Sequence, residues 1–319
     1  MSSSTQVSVI IDISNLYIRS FIAYPSMSTL TGAQTGGIVG SLKMISRLLR
    51  ETSPTNMYIV WESGGSVKRK SIYKEYKQHR KPEKLNRYYG DDLPDTDENR
   101  LHQMIVLMNC LKCTPTCQVY VPDCEADDVI AYLSQGPLKL HEKIIASSDK
   151  DFYQLLDEKT KMYSFYKKSF VTKENVLETF RVSSNNFAIA KALCGDISDN
   201  IPGIVGVGFK TVANRLAFLG TDENVILQDV FDYCSSHVTE STFYKKVLDN
   251  TDTVKRNWKL VNLGSGPLSN DQVQKVDHAI GTFVPFLDKM ALVKCLVKEG
   301  ISDFDLEGFC QSFDCIDRT

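Results

Sequence analysis

Residues 118–133, QVYVPDCEADDVIAYL, hold a strand, a turn and the start of a helix, with Glu125, Asp127 and Asp128 packed where the helix begins. Gln118–Val121 is a β-branched and aromatic run, and Ala126–Leu133 has the apolar spacing of a helix. Glu125, Asp127 and Asp128 therefore fall at the helix start. There they can act as an N-cap and as first-turn charges facing the positive end of the helix dipole. Crowded carboxylates also repel one another and resist burial, and a hard divalent cation with oxygen ligands relieves both costs.

The same punctuation recurs on either side. Downstream, the strand-like Lys143–Ala146 runs into SSDKDFYQLL, with Asp149 and Asp151 in the turn and a short helix from Phe152 to Leu156. Upstream, Met57–Trp61 ends at Glu62, and Val7–Ile13 carries Asp12 near its end. Helical patterns over Ile38–Leu49 and Asn99–Leu111 separate these strands, and Met162–Phe165 reads as a last one. Short apolar strands alternating with helices predict an α/β fold: a mostly parallel central sheet flanked by helices. Ligands of such sheets sit at the carboxyl ends of the strands. Asp12, Glu62, Glu125, Asp149 and Asp151 are thus expected along one sheet edge.

Past about residue 167 the strand pattern fades and helices follow, among them Lys173–Thr179, Asn185–Leu193, Gly208–Leu219, Glu223–Tyr233 and Ser241–Leu248. This predicts a sheet-bearing unit over 1–167, a smaller helical unit over 168–300 and an acidic tail over 301–319. Between Asn185–Leu193 and Gly208–Leu219 lies GDISDNIPGIVGVGFKT, residues 195–211. Asp196 and Asp199 are three apart, so a helical turn would put them on one face. Gly203, Gly206 and Gly208 suit close approach of backbone to a phosphate, with Lys210 adding charge. The glycines lack the Walker spacing and follow a helix rather than a strand, which argues against a nucleotide fold. A plain helix–helix turn is the alternative.

The chain has 319 residues and a net charge of −2, so its positive charge must be local if it binds nucleic acid. Residues 67–84, VKRKSIYKEYKQHRKPEK, supply a local charge of +6, with Tyr73 and Tyr76 interleaved. Basic side chains contact phosphates and aromatic rings stack on unpaired bases, the alternative being a solvated helix face. No apolar stretch is long enough to span a membrane, and MSSSTQVSVI lacks the layout of a secretory signal. Nine cysteines without a repeating framework fit reduced thiols and a cytoplasmic location. Cys110, Cys113 and Cys117 read as buried thiols rather than as part of a zinc site.

The order and spacing of these pieces resemble the 5′-nuclease family, which includes flap endonucleases, the 5′-nuclease domain of bacterial DNA polymerase I, and phage ribonuclease H and 5′-exonucleases. The resemblance rests on Asp12 after the first strand, Glu-Ala-Asp-Asp at 125–128, Ser-Asp-Lys-Asp at 148–151 and the Gly195-Asp-Ile-Ser-Asp-Asn-Ile-Pro-Gly stretch with its Gly-Val-Gly-Phe-Lys continuation. It covers about residues 7–220. It implies a PIN-like nuclease core and, over 191–219, a helix–three-turn–helix element that grips duplex DNA. It also implies two Mg²⁺ ions, with Mn²⁺ as a substitute, held by Asp12, Glu125, Asp127, Asp128, Asp149, Asp151, Asp196 and Asp199. Glu62 stands where the family has aspartate; it keeps the charge and reaches one methylene further. Arg69, Tyr73, Tyr76, Lys77 and Arg80 match a family pattern that places Lys77, with Arg80, beside the scissile phosphate and the others against nucleic acid. Residues 67–97 would then include the arch for single strands. The glycine loop would hold K⁺.

The expected activity is 5′-3′ exonuclease and flap endonuclease cleavage with ribonuclease H activity. The expected substrates are DNA with 5′ flaps or nicks and RNA–DNA hybrids. The protein is expected to be a monomer, with a sliding clamp or single-strand-binding protein as the candidate partner of the tail. Two other readings stay open: a PIN-type ribonuclease, and a structure-specific DNA-binding protein with a weakened site.

Overall fold

Every one of the five expected strands forms. The computed structural model describes residues 6–24, 27–29, 32–78, 97–264 and 268–316. The central sheet holds β1 (Val7–Asp12), β2 (Asn56–Trp61), β3 (Cys117–Tyr120), β4 (Glu142–Ala146), β5 (Thr160–Ser164) and β6 (Ser169–Val171). Its order is β3-β2-β1-β4-β5-β6. All neighbours are parallel except β5 and β6. β6 was not expected: its three residues are too few to carry an alternating pattern.

Between the strands lie α1 (Ile13–Ala23), α2 (Gly36–Thr52), α3 (Val67–Ile72), α4 (Asp97–Lys112), α5 (Ala126–Gln135) and a 3₁₀ helix at Lys150–Leu155. α1 was also missed, because no loop separates it from β1. Asp12 closes the strand and caps the helix, its Oδ1 accepting the Asn15 amide at 3.1 Å. Alternate β1 residues divide the core. Val9 and Ile11 pack with α1, α2 and α4 on one face, while Ile10 joins Val60, Ile145 and α5 on the other.

The remaining elements are α6 (Lys173–Phe180), α7 (Phe187–Cys194), the two-residue strands β7 (Gly195–Asp196) and β8 (Ile201–Pro202), α8 (Phe209–Arg215), α9 (Leu227–Ser236), α10 (Thr242–Asp249), α11 (Thr251–Val261), α12 (Asn270–Thr282), α13 (Lys289–Lys298) and α14 (Leu306–Gln311). α7 to α11 share a core of their own, with Leu193, Val212, Val230, Val247 and Val254 fully buried. α12 instead lies along β3, where Gln272 Nε2 donates to the Pro122 carbonyl at 2.9 Å.

The tail expected over 301–319 is folded wherever it is described. Ile301, Phe309, Phe313 and Ile316 are buried in the same core as Val9 and Ile11, beside Leu292 and Leu296 of α13. The Phe309 and Phe313 rings meet edge to face at 5.0 Å. Their helical spacing is hidden in the sequence by the acids on the opposite face. Among the described residues no helix is long and apolar enough to cross a membrane.

Phe313→Ala should lower stability by about 3–5 kcal/mol in a denaturant titration, the cost of emptying a buried phenylalanine site. A loss below about 1 kcal/mol would return this segment to the status of an appendage.

Candidate active site

Parallel pairing sets Asp12 level with Val60, and Ile11 level with Ala146, so the first residues beyond β2 and β4 flank the Asp12 carboxylate. Ser147, just past β4, donates its hydroxyl to Asp12 Oδ2 at 3.1 Å and accepts the Asp149 amide at 3.1 Å. Asp149 then caps the 3₁₀ helix through the Asp151 amide, at 2.9 Å. Glu62 is exposed, and its Oε2 accepts the Ala126 amide at 3.1 Å, which ties the end of β2 to the start of α5.

Burial pushes the Asp12 carboxyl up to about 6, and the Asp149 and Glu62 charges add to the rise against the Asn15 and Ser147 hydrogen bonds. Asp127 is raised too: burial, then Asp149 and Asp12, outweigh the nearby Lys77. Glu125 goes the other way. Burial would raise it, but the Lys77 and Arg69 cations hold it below the ordinary carboxylate value.

The Arg69 side chain is 6% exposed, and its guanidinium donates to Asp128 at 2.7 and 2.6 Å, to Glu125 at 3.3 Å and through Nε to the Leu260 carbonyl at 2.8 Å. The expected contact between Arg69 and nucleic acid is therefore corrected: all this hydrogen bonding is internal, as a buried guanidinium requires. Asp128, expected to bind metal, instead spends both oxygens on Arg69. Tyr76 is corrected for the same reason. It is buried, and its hydroxyl meets Glu125 Oε2 at 3.0 Å and Asp199 Oδ2 at 3.3 Å, so its ring is not open to stacking. The half-buried Tyr73 ring is faced by the Arg256 guanidinium at 4.4 Å.

Lys77 reaches the same acids. Its Nζ is 2.9 Å from Glu125 Oε1 and 3.8 Å from Asp199 Oδ2. Burial works against its charge, but Glu125, Asp199 and Asp127 outweigh that and raise its pKa. Arg80 lies outside the described residues, as does most of the expected arch.

Asp151, Asp196 and Asp199 form a second group, with carboxylate oxygens within 4.8 Å of one another. Asp196 and Asp199 converge through the tight Ile197–Asn200 turn between β7 and β8, not through a helical turn. Sequence reasoning missed Lys191, whose ammonium bridges Asp151 and, at 2.7 Å, Asp196. Asp196 is held below its usual value because Lys191, with Ser198, overcomes the effect of burial. The signal was there: a lysine in α7, surrounded in sequence by buried Ala188, Ile189, Ala192 and Leu193, has to find a counter-charge inside.

The donor set is all oxygen, and Asp12 and Asp127 are pushed toward protonation by burial and by their acidic neighbours. Both features fit hard divalent cations, which reverse that penalty. The glycine loop divides. Gly203 cannot spare its bare face for a ligand, since a Cβ there would lie 1.9 Å from the Cys194 carbonyl. Gly206 has φ +78°, and Gly208 opens onto free space ahead of an exposed Lys210. Cys110, Cys113 and Cys117 are buried thiols, as expected.

The profile of a family described as "5′-3′ exonuclease, N-terminal resolvase-like domain" matches residues 7–181. The chain is 34% identical over 218 residues to the 5′-3′ exonuclease of Aquifex aeolicus, covering 68% of this chain and 71% of that protein. It is 29% identical over 256 residues to the flap endonuclease Xni of Shewanella halifaxensis, covering 80% and 92%. The fold matches that of T5 5′-exonuclease, solved with divalent metal ions (zinc) bound, with TM-score 0.67 and 21% identity over 92% of this chain and 98% of that one.

Asp12 has a folded pKa above its unfolded value, so its favourable contribution is complete below about pH 4 and is lost as pH rises through about 6. In EDTA, the stability of the wild type relative to Asp12→Asn should fall by about 3 kcal/mol between pH 4 and 8. Mg²⁺ should restore it in the wild type only. A pH-independent difference between the two would contradict this electrostatic picture.

Proposed function

The chain belongs to the family of 5′-3′ exonucleases and flap endonucleases, metal-dependent phosphodiesterases, and we propose that it uses Mg²⁺ to hydrolyse 5′ flaps, nicked DNA and the RNA strand of RNA–DNA hybrids. The observation that carries this reading is the place of Lys77. Its ammonium stands between the strand-end acids and the Asp151–Asp196–Asp199 group.

In this reading Asp12, Glu62, Asp127 and Asp149 would hold one cation, and Asp151, Asp196 and Asp199 would hold the second, while both oxygens of Glu125 are taken by Lys77, Arg69 and Tyr76. Bound divalent cations supply an activated water and neutralise charge on the attacked phosphodiester. The protein's own groups do the rest. Lys77 offers a positive charge to the phosphate oxygens where negative charge builds in the transition state. Glu125, kept ionised by Lys77 and Arg69, holds that ammonium in place. Ser147 and Asn15 fix the Asp12 carboxylate through one oxygen each. Gly206, Gly208 and Lys210 present backbone and charge to a duplex phosphate, with K⁺ as the ion of that loop. Arg80, close in sequence to Lys77, adds a second positive charge. The protein acts as a cytoplasmic monomer. A sliding clamp or single-strand-binding protein is its candidate protein partner.

Labelled 5′-flap duplex, RNA–DNA hybrid and single-stranded RNA, each incubated with Mg²⁺ or EDTA, test the reading. Cleavage of the first two in Mg²⁺ alone is expected. Preference for single-stranded RNA would favour a PIN-type ribonuclease, and binding without cleavage a weakened site. Asp149→Asn should abolish turnover while keeping DNA affinity within a few-fold, and normal turnover would remove the metal assignment. Lys77→Ala should slow single-turnover cleavage about 100-fold or more.

A further inference from the structure

Lys77 is held by an unusual piece of backbone. The Gln78 amide bonds to the Glu75 carbonyl at 3.1 Å, closing a turn in which Lys77 has φ +55°. Across from it, the Asn200 amide bonds to the Ile197 carbonyl at 3.2 Å, and Asn200 has φ +57°. Asparagine visits this left-handed region readily, whereas for lysine it is unfavourable. Something outside the turn must hold Lys77 there.

The two turns hold each other. The Lys77 amide donates to the Asp199 carbonyl at 2.9 Å, and the Asn200 side-chain Nδ2 donates to the Glu75 carbonyl at 2.7 Å. Each turn thus gives one hydrogen bond to a carbonyl of the other. The side-chain contacts of Lys77 and Tyr76 with Asp199 lie beside this pair. We propose that Asn200 is a positioning residue: its amide clamps the Glu75 carbonyl and so sets the turn that aims the Lys77 ammonium.

The contact is neutral, so removing it leaves the charge of the acidic groups unchanged. It also links two parts of the chain. Asn200 leads directly into β8, which pairs with Gly195 and Asp196 and continues into the glycine loop. A duplex phosphate on that loop and the catalytic lysine are thereby set by one turn. The inference rests on the reading of Lys77 as the cation that stabilises the reacting phosphate.

Asn200→Gly keeps the positive φ and loses the amide. Asn200→Asp keeps the size and puts carboxylate oxygens against the Glu75 carbonyl while adding one negative charge, so Asn200→Gly is the charge-neutral arm of the pair. Single-turnover cleavage of a 5′-flap duplex in Mg²⁺ should fall about 10- to 100-fold in both, the scale of an ångström-level misplacement. The Kd for the same duplex in Ca²⁺ should stay within about 3-fold. Because Asn200 acts through Lys77, Lys77→Ala/Asn200→Gly should be no slower than Lys77→Ala alone. A wild-type rate in Asn200→Gly and Asn200→Asp, or losses that multiply in the double variant, would overturn the proposal while leaving the role of Lys77 intact. A wild-type rate in Lys77→Ala would instead overturn the reading of Lys77, and this inference with it.

Discussion

The bond between the Arg69 guanidinium and both oxygens of Asp128 is the contact on which the rest of the site depends. It joins α3 to α5 inside the protein, and Nε extends it to the end of α11. A buried ion pair of this kind adds little net stability by itself, but removing one partner leaves a bare charge inside and costs about 3–5 kcal/mol. Arg69 therefore locks the basic segment to the acidic helix start, and from that anchor the chain continues into the turn carrying Tyr76 and Lys77.

Around this anchor the carboxylates divide by environment. Glu125 and Asp196 face Lys77, Arg69 and Lys191, and sit below their usual values. Asp12 and Asp127 lie where burial and acidic neighbours dominate, and sit above theirs. The protein's own cations thus balance the sides of the site next to the helical elements. The strand-end acids are left in the state that a divalent cation stabilises best. The same fold that gathers the acids also spends Asp128 on structure, so the number of acids in the motifs overstates the number facing a ligand.

Much of this was legible in order along the chain. Four of the strands were short apolar runs with an acid at the end or a few residues beyond it, and the parallel α/β reading placed those acids on one edge. What stayed hidden has physical causes. α1 follows β1 without a loop, so no turn residue marked it. The segment after Ile301 carries enough acids to pass for a tail, although Phe309 and Phe313 keep helical spacing. Arg69 and Tyr76 looked like nucleic-acid contacts because a charge run says nothing about which side chain turns inward. Gly203 looked like a phosphate cradle, yet its missing side chain makes room for the Cys194 carbonyl.

By itself the sequence determined the fold class, the edge of the sheet that carries the chemistry, and most of the residues that meet there, because strand and helix periods follow from local spacing. Tertiary structure alone decided which acids are taken by the protein's own cations, that Lys191 bridges two acids of the second group, and that Asn200 holds the turn of Lys77. These depend mostly on contacts between residues 40 to more than 120 positions apart, such as Lys191 with Asp151, Arg69 with Asp128 and Asn200 with Glu75. Charge balance and burial arise only when such segments meet, and no local pattern encodes them.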